Sequence, residues 1–447
     1  MLPEAFISIL RESYPEETVQ RLCAALAEEA PVSVRRNPAK ISEEAFLAHF
    51  GTDAFGAVPW SASDGLYLKR RPSFTRDPLF HSGAYYVQEA ASMAVGGLLE
   101  EAFPEAGSTS LRVLDLCAAP GGKSTLLLSR LNPESLLVAN EVMRQRAGIL
   151  AENLALWGAP NVVVTNNDPA DFGRLEGYFD LMLVDAPCSG EGMFRKDESA
   201  IGEWSPDAVQ LCAARQRRIL ADSWRSLRPG GALIYSTCTF NHYEDEENTE
   251  WICRELGGEC LSQRHFLPGF DRGEGFYCAL IRKEGEAPRK PLKSARSNAP
   301  TGSPAAAAQK LLQPGMVLRE KTTREGAHLL KAFPAGLCAE MEALEKWLSV
   351  RASGTAVATI KGKDLIPEAD LAYSTAFNRE AFPEVNLDRE AALRFLAHEP
   401  LVLSAEPKGY LTLCYKGLPL GFVKNLGARC NSLHPLSRRI RMDIFEE

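Results

Sequence analysis

The sequence lacks any long apolar run. Nothing in its 447 residues approaches the ~20 consecutive apolar positions of a membrane-spanning helix, so no membrane partner is expected. The start, Met1-Leu2-Pro3-Glu4-Ala5-Phe6, meets an acid before any base, unlike an export signal. Eleven cysteines are spread without framework spacing, which predicts free thiols in a reducing cytoplasm. None forms a close metal-type pair and the seven histidines are scattered, so no metal is expected. No repeat recurs at solenoid spacing, and nothing calls for an oligomer, so a monomer is expected. The chain is also short of positive charge: 50 Lys+Arg against 58 Asp+Glu give a net −8, which taken alone argues against nucleic acid as a partner. What remains, 45% hydrophobic and 24% charged residues, is ordinary for a soluble protein of about three domains.

The charge is uneven. Residues 35–76 carry seven basic and four acidic side chains, 283–331 ten and four, and 407–442 seven and none. A polyanion meets local patches, so the average says more about solubility than about partners. These windows are expected to surround the functional crevice and a C-terminal module.

Between about 85 and 283, strand and helix patterns alternate. Leu111–Cys117, Leu136–Glu141, Asn161–Thr165, Phe179–Asp185 and Ala232–Ser236 read as strands. Arg144–Trp157 reads as a helix with Ile149, Leu150, Leu154 and Trp157 on its apolar side. A second helix starts at Ser205-Pro206-Asp207, runs to about Leu227 and stops at Arg228-Pro229-Gly230-Gly231. Repeated βα units predict an α/β, Rossmann-like parallel sheet that binds ligands beyond its carboxyl edge. Residues 284–310, rich in Pro, Ser, Ala and Lys, read as a linker. Beyond them, helices at 338–348 and 388–397 precede a hairpin of Tyr410–Lys416 and Leu420–Lys424, joined through Gly417-Leu418-Pro419. This predicts a small separate α+β or β-barrel module.

Three motifs carry chemistry. The loop Cys117-Ala118-Ala119-Pro120-Gly121-Gly122-Lys123 follows the first strand, where small residues let a ligand approach the backbone. Glu141 ends the second strand, suited to ribose hydroxyls, and Asp168 follows the third, suited to an adenine amino group. Each acid alone reads as a solvated loop residue; in register they favour a nucleotide-derived cofactor. The loop is not G-x-G-x-x-G, which favours S-adenosyl-L-methionine over a dinucleotide. The second and third motifs, Asp185-Ala186-Pro187-Cys188 and Thr237-Cys238-Thr239, put a cysteine at two further strand ends. A thiolate adding to carbon 6 of cytosine makes carbon 5 nucleophilic toward a methyl sulfonium. Asp185 at ring nitrogen 3 takes up the developing charge, and a second thiol assists release. Spacing leaves open which cysteine attacks.

At LDLCAAPGGKS (114–124), LVDAPCSGEGMFRKD (183–197), YSTCTFN (235–241) and YYVQEAAS (85–92) the sequence resembles the NOL1/NOP2/Sun family of RNA 5-methylcytosine methyltransferases. The resemblance implies Cys238 as nucleophile, Cys188 as the thiol for product release, and cofactor positions at Cys117 to Lys123, Glu141, Asp168 and Asp185, with Lys123 counted in the catalytic set as well. One departure is His242-Tyr243, where members commonly carry proline and then acids. The implied layout is an N-terminal RNA-binding region (1–84), a catalytic domain (85–283), the linker, and a C-terminal RNA-binding region (311–447) with a PUA-like module from about 387. That order is similar to members acting on small-subunit (16S) ribosomal RNA, so ribosomal RNA or the small subunit is the expected partner. Transfer RNA as substrate, and a non-catalytic RNA-binding assembly factor, remain the alternatives. Phosphate contacts are expected from Arg35, Arg36, Lys40 and Lys69-Arg70-Arg71, and from Lys408, Lys416, Lys424, Arg429, Arg438, Arg439 and Arg441.

Overall fold

The computed structural model describes residues 2–292, 299–323, 326–362 and 364–444. Lys293 and residues 294–298 of the predicted linker lie outside them, as does Arg324 of the second basic window.

The centre is an eight-stranded sheet. Its strands are β1 (Arg112–Asp115), β2 (Leu136–Asn140), β3 (Val162–Thr165), β4 (Phe179–Asp185), β5 (Leu227–Thr237), β6 (Gly258–Phe266), β7 (Phe276–Lys283) and β8 (Val350–Ser353). They lie in the order β6-β7-β5-β4-β1-β2-β3-β8. The pairs from β5 across to β3 are parallel, while β6, β7 and β8 are antiparallel to their neighbours. The continuous apolar runs of β1 to β4 follow from cover on both faces: Val113, Leu114, Leu137, Val138, Leu181 and Met182 are all fully buried.

Helices α1 (Gly122–Arg130), α2 (Arg144–Trp157), α3 (Pro206–Ser223) and α4 (Glu246–Leu256) pack around it. The Ser205 hydroxyl caps α3 by accepting from the Ala208 amide at 3.1 Å. On α2 the buried stripe is Ala147, Leu150, Leu154 and Trp157, whereas Ile149 faces solvent. α3 does stop, at Ser223, earlier than expected, but Pro229-Gly230-Gly231 is not the boundary between helix and strand. β5 runs through it, and the register against β4 skips from the Phe179–Leu227 pair to Leu181–Ala232, which absorbs the glycines as an irregularity within the strand.

The N-terminal region contributes helices Glu4–Ser13 and Glu16–Leu26 and a four-stranded antiparallel sheet. Tyr85–Val87, expected to open the catalytic domain, pairs with Val34–Arg36 as an edge of that N-terminal sheet. The C-terminal half holds two more four-stranded sheets, of which the last pairs Glu384–Leu387 in parallel with the hairpin Gly409–Tyr415/Leu418–Asn425. Tyr415 pairs with Leu418, so the hairpin turn is Lys416-Gly417, shorter than expected, and both residues have positive φ.

The region after 311 is not separate from the catalytic domain. β8 adds to the edge of the central sheet beside β3, and the helix Cys338–Leu344 buries Met341 and Leu344 in the same core as Leu114, Val138 and Val163. Among the described residues no helix is long and apolar enough to cross a membrane.

Candidate active site

All three motif loops emerge at the carboxyl edge of the sheet. After β1, the loop 117–123 turns into α1 at Gly121, whose φ of +115° is strained for any residue with a Cβ. The Ala119–Pro120 peptide within it is cis. The buried Asp115 carboxylate accepts from the Ser124 hydroxyl at 2.6 Å, and its Oδ1 has no partner among the described residues. Burial pushes Asp115 up to about 7.

Glu141 follows β2 and is 4% exposed; its carboxylate accepts from the Met143 amide at 2.8 Å and lies 3.3 Å from Arg146. Asp168 follows β3, exposed, and accepts from the Ala170 amide at 3.1 Å. Asp185 ends β4, where Lys123 Nζ donates to Oδ2 and Ser236 Oγ to Oδ1, both at 2.8 Å. Three carboxylates thus flank the glycine turn from adjacent strand ends. This donor set fits a nucleoside carrying an amino-acid side arm, which offers hydroxyl and ammonium donors.

Cys188 and Cys238 come together from loops 50 residues apart, with Sγ to Sγ at 3.0 Å. The hydrogen bond to Cys238, then burial, pushes the Cys188 thiol well up, so Cys188 keeps its proton. For Lys123, burial works against the charge, but Asp185 and then Cys238 more than offset it, and its pKa rises. The ammonium is thus bonded to Asp185 and within electrostatic reach of the Cys238 sulfur.

Two buried carboxylates, Glu191 and Glu244, tie the two cysteine loops together, and a third, Asp245, braces the Cys238 loop. Glu191 accepts from the Phe240 amide at 2.7 Å, Asn241 Nδ2 at 2.9 Å and Trp204 Nε1 at 3.0 Å. Glu244 accepts from Gln216 Nε2 at 2.7 Å and the Ser189 amide at 3.1 Å. Asp245 accepts from Thr237 and Thr239, the neighbours of Cys238, at 2.5 and 3.0 Å. Burial, reinforced by neighbouring carboxylates, pushes Glu191 up to about 7 and Asp245 well above the usual carboxylate range, and burial raises Glu244 against the pull of its hydrogen bonds. Sequence reasoning gave these acids no role. Their only sequence signal is an acid inside the Cys188 loop and an acidic run just after Cys238, which reads as solvated surface.

The N-terminal helices stiffen the same loops. Phe6 packs edge-on against Phe194 and Trp204 at 5.2 and 5.6 Å and touches Phe240. The His242-Tyr243 departure belongs to this contact: His242 Nδ1 pairs with the Ser13 hydroxyl, and Tyr243 donates to Glu12, both at 2.9 Å.

Several expected RNA contacts are corrected. Arg35 is fully buried and donates to Gln88 Oε1 and Thr125 Oγ1, each at 2.6 Å, which braces the start of α1. Lys40 donates to the Ser82 and Leu156 carbonyls at 2.8 and 2.6 Å, and burial lowers its pKa to about 7. Arg36 is paired with buried Asp64 at 2.6 Å, and Arg438 with Asp370 at 3.2 Å. None of the four is available to phosphate. Lys424 is half-buried over the Tyr410 ring, while Arg439 and Arg441 are exposed. Within the basic window 283–331, Arg289 departs from expectation: it pairs with Asp180 at the amino end of β4, opposite the cysteine edge.

Comparison with known proteins agrees with this architecture. Residues 104–282 match the family model for 16S rRNA methyltransferase RsmB/F, residues 2–90 the N-terminal domain of 16S rRNA methyltransferase RsmF, and residues 382–440 the methyltransferase RsmF PUA domain. Similar proteins include the ribosomal RNA small subunit methyltransferase F of Cronobacter sakazakii, 36% identical over 311 residues (63% of each chain). That of Pectobacterium atrosepticum is 34% identical over 65% of this chain and 64% of its own. The matches thus span somewhat under two thirds of those curated relatives. A solved methyltransferase homologue from Pyrococcus horikoshii covers 63% of this chain and all of its own at TM-score 0.52 and 27% identity. NSun6 from the same organism, solved with SFG, covers 64% of this chain and 99% of its own at TM-score 0.54 and 19% identity, and shares the fold. The N-terminal, catalytic and C-terminal segments of the chain thus match, in that order, models drawn from the RsmB/F methyltransferases.

Proposed function

We propose that the protein methylates carbon 5 of cytosine in small-subunit (16S) ribosomal RNA, using S-adenosyl-L-methionine and a covalent cysteine–cytosine adduct. The observation that carries this reading is the 3.0 Å thiol pair facing the Lys123–Asp185 ion pair. A lone buried cysteine needs no second thiol and no charged neighbour; a nucleophile with a proton-holding partner does.

The loop Cys117–Lys123 and the carboxylates of Glu141, Asp168 and Asp185 would hold the cofactor, which supplies the electrophilic methyl group. The flipped base enters from solvent between the two cysteine loops. Cys238 gives up its thiol proton, which Asp185, held by Lys123 and Ser236, passes to ring nitrogen 3. Sγ bonds to carbon 6, the ring's electrons move to carbon 5, and carbon 5 takes the methyl group. Loss of the carbon 5 proton to solvent water restores the double bond and breaks the sulfur–carbon bond, and nitrogen 3 releases its proton as the ring reforms. Cys188, which keeps its proton, donates to the departing Cys238 sulfur. The ribosomal substrate is supported by the three domain matches and by the names of the relatives.

The test is transfer of labelled methyl groups to bare 16S RNA, assembled small subunits and transfer RNA in parallel. Cys238→Ala is expected to abolish transfer. Cys188→Ala is expected to accumulate an RNA–protein adduct that survives denaturant. Methylation of transfer RNA alone would overturn the ribosomal substrate, and undiminished transfer by Cys238→Ala would overturn the nucleophile.

A further inference from the structure

A cleft of about 1020 Å³ opens beside the cysteine loops, between the N-terminal sheet and residues 269–274. Its walls carry Lys69, Arg70, Arg71, Arg195, Lys196 and Arg272. The chain connects it directly to the reaction centre. The Gly192 amide donates to the Cys238 carbonyl at 2.8 Å, and three residues later the same segment forms the cleft wall at Arg195. A Cβ on Gly192 would come within 3.0 Å of that carbonyl and 3.3 Å of the Glu274 carbonyl, so the two walls meet beneath Cys238.

Two properties of the cleft bear on its occupant. First, six cations line it against five acids, Glu28, Glu29, Glu89, Asp271 and Glu274. Glu274 is paired with Lys196 and Asp271 with Arg264, while Glu89 accepts from backbone amides. Arg195 donates only to carbonyls, of Glu28, Glu29 and Gly273, and Arg70 is 80% exposed with Asp53 at 3.4 Å, so both keep charge to offer a ligand. Second, two of its lining residues belong to guanidinium–ring stacks with exposed rings. Arg272, on the cleft wall, lies 3.7 Å over Phe55, which is 55% exposed, and Phe270, also on the wall, carries Arg21 at 4.1 Å. A guanidinium held flat on an exposed ring offers a planar cationic face on which a nucleobase stacks beside its phosphate.

We infer that this cleft holds an unpaired RNA strand flanking the target nucleotide, with the Phe55–Arg272 stack as a platform for one base and Lys69–Arg71 and Arg195 on its phosphates. The inference rests on the proposed RNA chemistry at Cys238 and adds the form of the substrate. A volume on the scale of a large small-molecule site takes a few splayed nucleotides and excludes a duplex. The platform also helps to hold the target out of its stack, since a neighbouring base already stacked on protein loses less when the target leaves.

Binding is measured without catalysis, by fluorescence anisotropy of the full chain with a labelled unpaired RNA oligonucleotide and with a hairpin of equal length. The unpaired strand is expected to bind more tightly. Phe55→Ala should weaken it about fivefold or more with an unchanged salt slope, and Phe55→Trp should restore it. The double variant Arg70→Ala/Arg71→Ala should lower the log–log salt slope by roughly 1.4, at about 0.7 per phosphate contact on a single strand. These residues are exposed, and thermal melts matching the wild type establish that the variants fold. Equal affinity for hairpin and strand, or wild-type binding by Phe55→Ala, overturns the inference. If these binding effects occur but no RNA is methylated, the cleft stands and the proposed reaction fails. If methylation occurs while the variants bind as wild type, the reverse holds.

Discussion

Arg35→Ala separates a buried brace from an RNA contact. The wild-type guanidinium donates to Gln88 Oε1 and Thr125 Oγ1 at 2.6 Å and to Gly122 O and Ser129 Oγ at 3.2 Å, and lies 4.7 Å over Trp157. Burial lowers its pKa only to about 9, so it stays charged at neutral pH. Truncation orphans Gln88 Oε1, at about 1–3 kcal/mol. It also removes the contact with Trp157, at about 1–2 kcal/mol in a desolvated site. The Gly122 carbonyl keeps the Thr125 hydroxyl as a donor, so its loss adds little. The sum is about 3 kcal/mol, the upper part of the usual range for single substitutions. At about 2.1 cal/mol/K of unfolding entropy per residue, a 447-residue chain shifts by about 1 °C per kcal/mol, so the melting midpoint falls by roughly 3 °C. Calorimetry gives the midpoint, and a salt titration of RNA binding supplies the other half of the test. The salt slope should not change, because no phosphate contact is lost. An unchanged midpoint with a slope reduced by about 0.7 would refute the burial argument and restore Arg35 to the RNA surface.

Two further outcomes are expected. Glu191 holds its proton more tightly in the folded protein, at about 7, than as an ordinary carboxylate near 4.5. Its contribution is therefore greatest at low pH and is lost as pH rises through that window. Relative to Glu191→Gln, the wild type should lose about 3 kcal/mol of unfolding free energy between pH 4.5 and 7; a pH-independent difference from denaturant unfolding would contradict this. Phe6→Ala empties a fully buried site against Phe194, Trp204 and Phe240 and should cost about 3–5 kcal/mol by urea unfolding. Because those rings back the cysteine loops, the methyl-transfer rate should fall as well, and an unaltered rate would detach the N-terminal helices from the site.

What could be read from the sequence was local. The strand Phe179–Asp185 and the helix Arg144–Trp157 have the bounds that hydrophobic periodicity gave them. The three strand-end motifs were legible because turn chemistry and small residues lie next to one another in the chain. What failed depended on distant partners. Nothing in Arg35-Arg36 distinguishes a side chain pointing to solvent from one pointing at α1, since that depends on a sheet whose other strands start up to 50 residues later. Pro229-Gly230-Gly231 reads as a stop, yet Arg228 paired with Asp180 at 2.7 Å holds the strand to its neighbour through the irregularity. Glu191 looked like a loop acid because its three donors come from residues 204, 240 and 241.

The pairing of Val350–Ser353 with β3 bears on how the chain is assembled. On a ribosome, every other strand of the central sheet emerges first. Until β8 arrives, the nascent sheet presents the open edge of β3, with bare main-chain donors and acceptors beside an uncovered apolar layer that Met341 and Leu344 later close. Such an edge invites pairing with other chains. A fragment ending at residue 283 would keep all the reactive groups and still carry this open edge. The C-terminal half thus closes the exposed edge and core of the sheet that carries Cys188 and Cys238, whatever else it binds.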